Sequence, residues 1–158
     1  MDSKTSGYVL IVEDDMDIAA LTSETLTYEG YDIRTAADGA VALRMIQEHR
    51  PALVLLDLWM PVMDGVALLS WLRDEGYADL PVMLMSASLR NEDQFHRLLA
   101  DNQLPEDGTE FFPKPFDIAD LLDRVAQHCP SKGREEGAEL LVLDIGLSSR
   151  TLSHCVMR

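Results

Sequence analysis

Five short apolar runs recur along this chain, and each is followed by a segment with helical spacing. The runs are Tyr8-Val9-Leu10-Ile11-Val12, Tyr31-Asp32-Ile33-Arg34-Thr35, Leu53-Val54-Leu55-Leu56, Pro81-Val82-Met83-Leu84-Met85 and Glu110-Phe111-Phe112. Runs of branched aliphatic residues without alternation read as strands buried on both faces, as in parallel sheets. The second run carries polar positions and suits a sheet edge. The intervening segments read as helices near 16–29, 39–49, 65–75, 91–101 and 118–128. Their candidate core positions include Ile18, Leu21 and Leu26, then Val41, Met45 and Ile46, and finally Leu121, Leu122 and Val125. Gly30 and Pro51 stop the first two helices, and Asp64 and Asp117 can cap the third and the last.

Strand–helix alternation gives an α/β fold with a doubly wound parallel sheet of five strands flanked by five helices. Right-handed crossovers leave few topologies. The flavodoxin-like order 2-1-3-4-5 sets strands one and three side by side at the switch point, where such sheets bind ligands beyond the strands' carboxyl ends. In that order Glu13-Asp14-Asp15 and Asp57 meet.

Asp57 follows the most apolar of the runs and opens the loop Leu58-Trp59-Met60-Pro61-Val62-Met63-Asp64-Gly65. A carboxylate leaving a buried strand is a metal ligand, a nucleophile or a helix cap, and Asp64 already serves as cap for the next helix. Several carboxylates in one pocket do not all stay ionised without compensation. Two unit charges 4 Å apart repel by about 4 kcal/mol at an effective dielectric of 20. Either one carboxyl is protonated or a cation sits among them, and all-oxygen donors favour Mg²⁺ or Mn²⁺. Asp14 and Asp15 are alternatively caps of the first helix, an explanation that suits Asp15 better than Asp14. Strand four ends in Met85-Ser86-Ala87-Ser88, whose hydroxyls are oxyanion donors or plain turn residues. Strand five leads to Phe112-Pro113-Lys114-Pro115-Phe116. There Lys114 lies in a stiff loop and is either an ammonium for the site or a surface lysine. Taken together, the acids, the hydroxyl and the ammonium are equipment for phosphoryl transfer to an aspartate.

Composition narrows the partners. The 158 residues hold 28 acidic and 13 basic side chains, a formal net charge of -15, with 47% hydrophobic residues. That sign repels nucleic-acid phosphates and anionic membranes, so neither direct nucleic-acid contact nor membrane binding is expected. No run approaches the about 20 apolar residues of a membrane span, and the N-terminus lacks a secretion-signal layout. Two cysteines, Cys129 and Cys155, make no disulfide framework and point to a cytoplasmic setting.

In this order the motifs resemble the receiver domain of two-component response regulators over residues 8–129. The resemblance places the family's acidic pair on Glu13 and Asp14, its phospho-acceptor on Asp57, its Thr/Ser on Ser86, its lysine on Lys114 and its switch aromatic on Phe111. It implies a phosphorelay. A histidine kinase or phosphotransfer protein donates a phosphoryl group to Asp57. Mg²⁺ is held by Asp14, Asp57 and the backbone carbonyl of Trp59, with Glu13 acting mostly through water. Ser86 swings inward to the phosphoryl group and Phe111 follows. The Lys114–Pro115 peptide is expected to be cis, and output is expected through protein–protein contact with a downstream protein. The chemistry is self-catalysed phosphotransfer and dephosphorylation, not turnover of an external substrate. An Mg²⁺-dependent phosphatase with an aspartate nucleophile is the alternative. Such enzymes carry the nucleophile after the first strand, whereas the acid–Asp–Ser–Lys series here fits a receiver better.

Three features depart from the family pattern. Trp59 is bulky for the rim of the site and is expected to shield an acyl phosphate. The segment Asp101-Asn102-Gln103-Leu104-Pro105-Glu106-Asp107-Gly108-Thr109 is longer than usual and reads as a loop. Residues 1–7 read as a tail. Residues 130–158 read as a flexible linker and a C-terminal tail holding the apolar run 138–147, which could add to a sheet edge, pack on its own domain or pair with a second copy as a homodimer. A separate DNA-binding domain is not expected in so short a tail.

Overall fold

The computed structural model describes residues 7–60 and 62–129. The expectations for the first six residues and for 130–158, including the apolar run and Cys155, lie outside the described residues.

Strands β1 (Val9–Val12), β2 (Ile33–Ala36), β3 (Leu53–Asp57), β4 (Val82–Ser86) and β5 (Thr109–Pro113) alternate with helices α1 (Met16–Tyr28), α2 (Gly39–Glu48), α3 (Gly65–Asp74), α4 (Glu92–Asp101) and α5 (Ile118–His128). The sheet is parallel with order β2-β1-β3-β4-β5, and β1 and β3 pair in register from Val9↔Leu53 to Val12↔Leu56. The doubly wound topology expected from the strand–helix alternation is the one observed.

The central strands are buried on both faces because alternate residues feed two cores. Leu10, Val12, Val54, Leu56, Val82, Leu84 and Phe111 pack with α2, α3 and α4 through Ile46, Leu68, Leu72, Phe95 and Leu99. Val9, Ile11, Leu53, Leu55, Met83, Met85 and Phe112 pack with α1 and α5 through Leu26, Leu121 and Val125. This two-sided demand explains why the runs show no polar alternation. β2 lies at the edge, with Arg34 and Thr35 exposed.

Each helix starts on a side-chain cap. Asp15, Asp38, Asp64, Asn91 and Asp117 accept backbone N–H groups of the first turns of α1 to α5, satisfying donors that a helix start leaves orphaned.

The core face of α1 differs from the expected one. Ile18 and Leu21 are 37% and 63% exposed, and the buried positions are Ala19, Thr22 and Leu26. Thr22 makes itself compatible with burial by donating its hydroxyl to the Ile18 carbonyl at 2.8 Å. In α2 the expected Val41 and Met45 only flank the core, and Ala42 and Ile46 fill it.

Of the 101–109 segment expected as a loop, Asp101 closes α4 and Thr109 opens β5, and residues 102–108 between them form an anchored loop. Leu104 is buried in the α2–α4 core. Arg73 of α3 donates to the carbonyls of Tyr77, Ala78, Leu80 and Gly108 and to Thr109 Oγ1, all within 3.2 Å. One guanidinium fork thus ties the α3–β4 turn to the start of β5.

Candidate functional site

The register of β1, β3, β4 and β5 brings four sequence-distant segments to the carboxyl edge of the sheet. β1 runs out at Val12, so Glu13 and Asp14 follow directly. β3 ends on Asp57 itself, one residue later than the apolar run suggests, and Asp57 stands opposite Met85. β4 ends on Ser86, which stands opposite Pro113 of β5, immediately before Lys114. The backbone N–H of Lys114 donates to the Ser86 carbonyl at 2.9 Å, fixing the lysine's loop to β4.

Ligand oxygens of Glu13, Asp14 and Asp57 lie within 4.8 Å of one another. Glu13 and Asp57 are buried, 3% and 8% exposed, and Asp14 is open to solvent. Lys114 supplies the counter-charge: Nζ is 2.8 Å from Glu13 Oε1 and 3.3 Å from Asp57 Oδ1. Burial and the nearby Glu13 carboxylate push the Asp57 carboxyl up to about 6, against the pull of Lys114 in the other direction. Burial would lower the Lys114 ammonium, but its hydrogen bond to Glu13 and the attraction of both carboxylates win, leaving it above its ordinary value. One ammonium does not neutralise two buried carboxylates and a third at the rim. A hard divalent cation among three carboxylate oxygens fits this imbalance and this donor set.

Asp15 caps α1 by accepting from the N–H groups of Asp17 and Ile18. It therefore serves the helix, whereas Asp14 is free to face the cluster. Gly65 is required for close approach: a Cβ there would lie 2.5 Å from the Asp57 carbonyl oxygen. Its N–H donates to the Leu58 carbonyl at 2.9 Å, drawing the start of α3 against the end of β3. The Lys114–Pro115 peptide is cis, as the resemblance implies.

Ser86 is buried, and its Oγ accepts from the N–H groups of Ser88 and Leu89 at 3.0 and 3.3 Å. Trp59 is 63% exposed, and its indole Nε1 donates to Ser88 Oγ at 2.8 Å. Phe111 is buried and stacks on Phe95 of α4, with ring centroids 5.4 Å apart and 18° between planes. Its surroundings are those of a core side chain. Two polar residues stand out only in three dimensions. Ser88 gains weight from its bond to Trp59, and the repeat Ser86-Ala87-Ser88 is its one sequence signal. Arg73 looks like an ordinary late-helix arginine until its carbonyl partners are seen.

A family model described as the response regulator receiver domain matches residues 9–126. Among curated relatives, transcriptional regulatory protein PrrA of Mycobacterium tuberculosis is 39% identical over 121 residues, covering 77% of this chain and 49% of its own length. Probable transcriptional regulatory protein TcrX of the same organism is 36% identical over 153 residues, covering 95% of this chain and 62% of its own. The chain thus spans about half to three-fifths of the length of these relatives. Among solved structures, the receiver domain of Francisella response regulator 1452 has a TM-score of 0.66 at 30% identity and covers 77% of this chain and 94% of its own. The Vibrio cholerae chemotaxis response regulator CheY4 has a TM-score of 0.67 at 29% identity and covers 78% and 98%.

Proposed function

Because the chain belongs to the response regulator receiver family of two-component signalling, we propose that Asp57 is its phospho-acceptor and that residues 8–129 form the receiver unit. The observation that carries this reading is the convergence of Glu13, Asp14, Asp57 and Lys114 at one sheet edge. The donor is a phosphohistidine of a histidine kinase or phosphotransfer protein. An Asp57 carboxylate oxygen attacks the phosphorus and a P–O bond forms. The P–N bond breaks, and its electron pair returns to the donor imidazole, which takes up a proton from its surroundings.

Asp57 is buried enough to be a basic carboxylate and is mostly ionised at neutral pH. Lys114 holds it in place and offsets charge on the incoming phosphoryl oxygens. Ser86 donates its hydroxyl to one of those oxygens once phosphorylation is complete. Mg²⁺ would be held by Asp14, Asp57 and the Trp59 carbonyl, with Glu13 reaching it through water. When bound, it supplies charge neutralisation and alignment of the phosphoryl oxygens. Phe111 transmits the change to α4 through its stack on Phe95, and the surface of β4, α4 and β5 then differs between two states.

Hydrolysis of the acyl phosphate by the same site ends the signal, and no external substrate is turned over. The alternative phosphatase reading gains no support from the geometry, since the buried aspartate ends the third strand and not the first.

The output reading is revised by the relatives. PrrA and TcrX are named as transcriptional regulatory proteins, so we assign this chain to transcriptional control. The expected absence of direct nucleic-acid contact is kept only for the acidic receiver surface, with a net charge of -15 for the whole chain. In this proposal the receiver acts through protein contacts, and no DNA contact is assigned to its surface. Among the described residues no helix is long and apolar enough to cross a membrane, and a cytoplasmic setting is part of the proposal.

The test is incubation of the full chain with acetyl phosphate and Mg²⁺. Stoichiometric labelling that is lost with Asp57→Asn supports the reading. Multiple turnover of a generic phosphate ester would replace it with the phosphatase alternative.

A further inference from the structure

Ser86 must release its present partners before it can serve a phosphoryl group. Its Oγ lies 2.8 Å from Ser88 Oγ and also accepts the Ser88 and Leu89 N–H groups. A serine hydroxyl has two lone pairs and one proton. Either hydroxyl of the Ser86–Ser88 pair can donate; the orientation that the two backbone donors favour has them on the Ser86 lone pairs and the Ser86 proton on Ser88 Oγ. Ser88 Oγ is itself fixed from outside by Trp59 Nε1 at 2.8 Å. An indole N–H only donates, so the sense of that outer bond is unambiguous. The three side chains form a chain from the solvent-exposed rim to a buried hydroxyl.

We propose that Trp59 and Ser88 form a latch that commits the Ser86 hydroxyl to the loop between β4 and α4 and so sets how readily the phosphorylated state forms. This rests on the Asp57 reading above. In that orientation the proton that Ser86 would give to a phosphoryl oxygen is engaged by Ser88. Trp59 keeps Ser88 in place to receive it. Trp59 and Ser88 are exposed, so the outer bond competes with water and its net worth is small. A weak outer bond suits a latch that biases two states and does not lock one of them. Both are positioning residues acting through Ser86.

The latch and a simple shield make opposite statements about one substitution. Trp59→Phe keeps an aromatic ring over the site and deletes only the donor. The test is titration of the full chain with beryllofluoride in the presence of Mg²⁺, followed by calorimetry and by the amide resonances of Ser88 and Leu89. A ligand that needs Ser86 released binds in proportion to the released fraction. Trp59→Phe and Ser88→Ala are each expected to tighten binding roughly threefold to tenfold. The double variant should gain no more than either single one, because both open the same latch. Ser88→Thr, which keeps a hydroxyl, should behave like the wild type. Equal affinity of the wild type and Trp59→Phe overturns the latch alone, as do gains that simply add in the double variant. No beryllofluoride binding by folded wild-type chain overturns the Asp57 reading and the latch with it.

Discussion

Lys114 Nζ lies closer to Glu13 Oε1, at 2.8 Å, than to Asp57 Oδ1, at 3.3 Å. The ammonium is shared between two buried carboxylates, with its shorter bond on Glu13. Asp57 is therefore only partly compensated, and its carboxyl is raised while the lysine stays charged. A carboxylate in that condition is basic, positioned and still short of positive charge, which is what a phosphoryl acceptor and a metal ligand require.

Removing the ammonium should expose the repulsion it offsets. Lys114→Met is expected to destabilise the fold by about 2–4 kcal/mol at pH 7, because it leaves two buried carboxylates without their cation. The loss should be smaller at pH 5, where Asp57 takes up a proton. Urea denaturation at the two pH values checks this, and equal losses would contradict it.

Asp57→Asn should act in the opposite sense. The Asp57 carboxyl is raised from 3.8 to about 6 on folding. Between those values the folded chain holds a proton that the unfolded chain has lost, so stability falls as pH rises through the window. The penalty is complete above about pH 6. An uncharged amide avoids it, and the variant should gain on the order of 1–3 kcal/mol at pH 7. The gain should vanish below about pH 4. Thermal denaturation of both chains across pH 3–8 measures the difference.

Much of this was legible in the sequence, and the reasons are physical. β1, β3 and β4 are buried on both faces, so their apolar runs carry the fold directly. Asp57, Ser86 and Lys114 fall at strand ends, where a sheet of this order gathers ligands. Order and residue type sufficed to list them. The face of α1 was not legible, because Ile18 and Leu21 point outward while small Ala19 and self-bonded Thr22 pack inward. A rule that seats large aliphatics in the core misreads such a helix. The close stack of Phe111 on Phe95 is a tertiary fact that no spacing reveals. Arg73 and Ser88 act through loop carbonyls and hydroxyls brought near by folding, and their residue types alone carry no such message.

Magnesium should bind where the carboxylates crowd, and in competition with the Asp57 proton. Calorimetry at pH 7 is expected to show one site, weakened about tenfold or more by Asp14→Ala. Affinity in the wild type should fall as pH drops below about 6, following protonation of Asp57. Affinity unchanged by pH or by the Asp14 substitution would place the ion elsewhere.

Arg73 should matter to the loop between α4 and β5 and not to the Glu13–Asp14–Asp57 cluster. Arg73→Ala removes the donors of four carbonyls and of Thr109 Oγ1. A loss of about 2–4 kcal/mol is expected, since charged hydrogen bonds to partly buried carbonyls go together. Hydrogen exchange should accelerate at 77–80 and 104–109, with acetyl phosphate labelling of Asp57 retained. Exchange limited to other segments would contradict the anchoring role.

The most direct measurement is chemical trapping of the phosphorylated residue. The full chain is labelled with acetyl phosphate and Mg²⁺, the acyl phosphate is reduced with borohydride, and the modified peptide is sequenced by mass spectrometry. Reduction at residue 57, abolished by chelating the metal and by Asp57→Asn, is the expected result. Labelling at another residue, or uptake that persists unchanged in Asp57→Asn, would contradict a phosphoryl-accepting role for this aspartate.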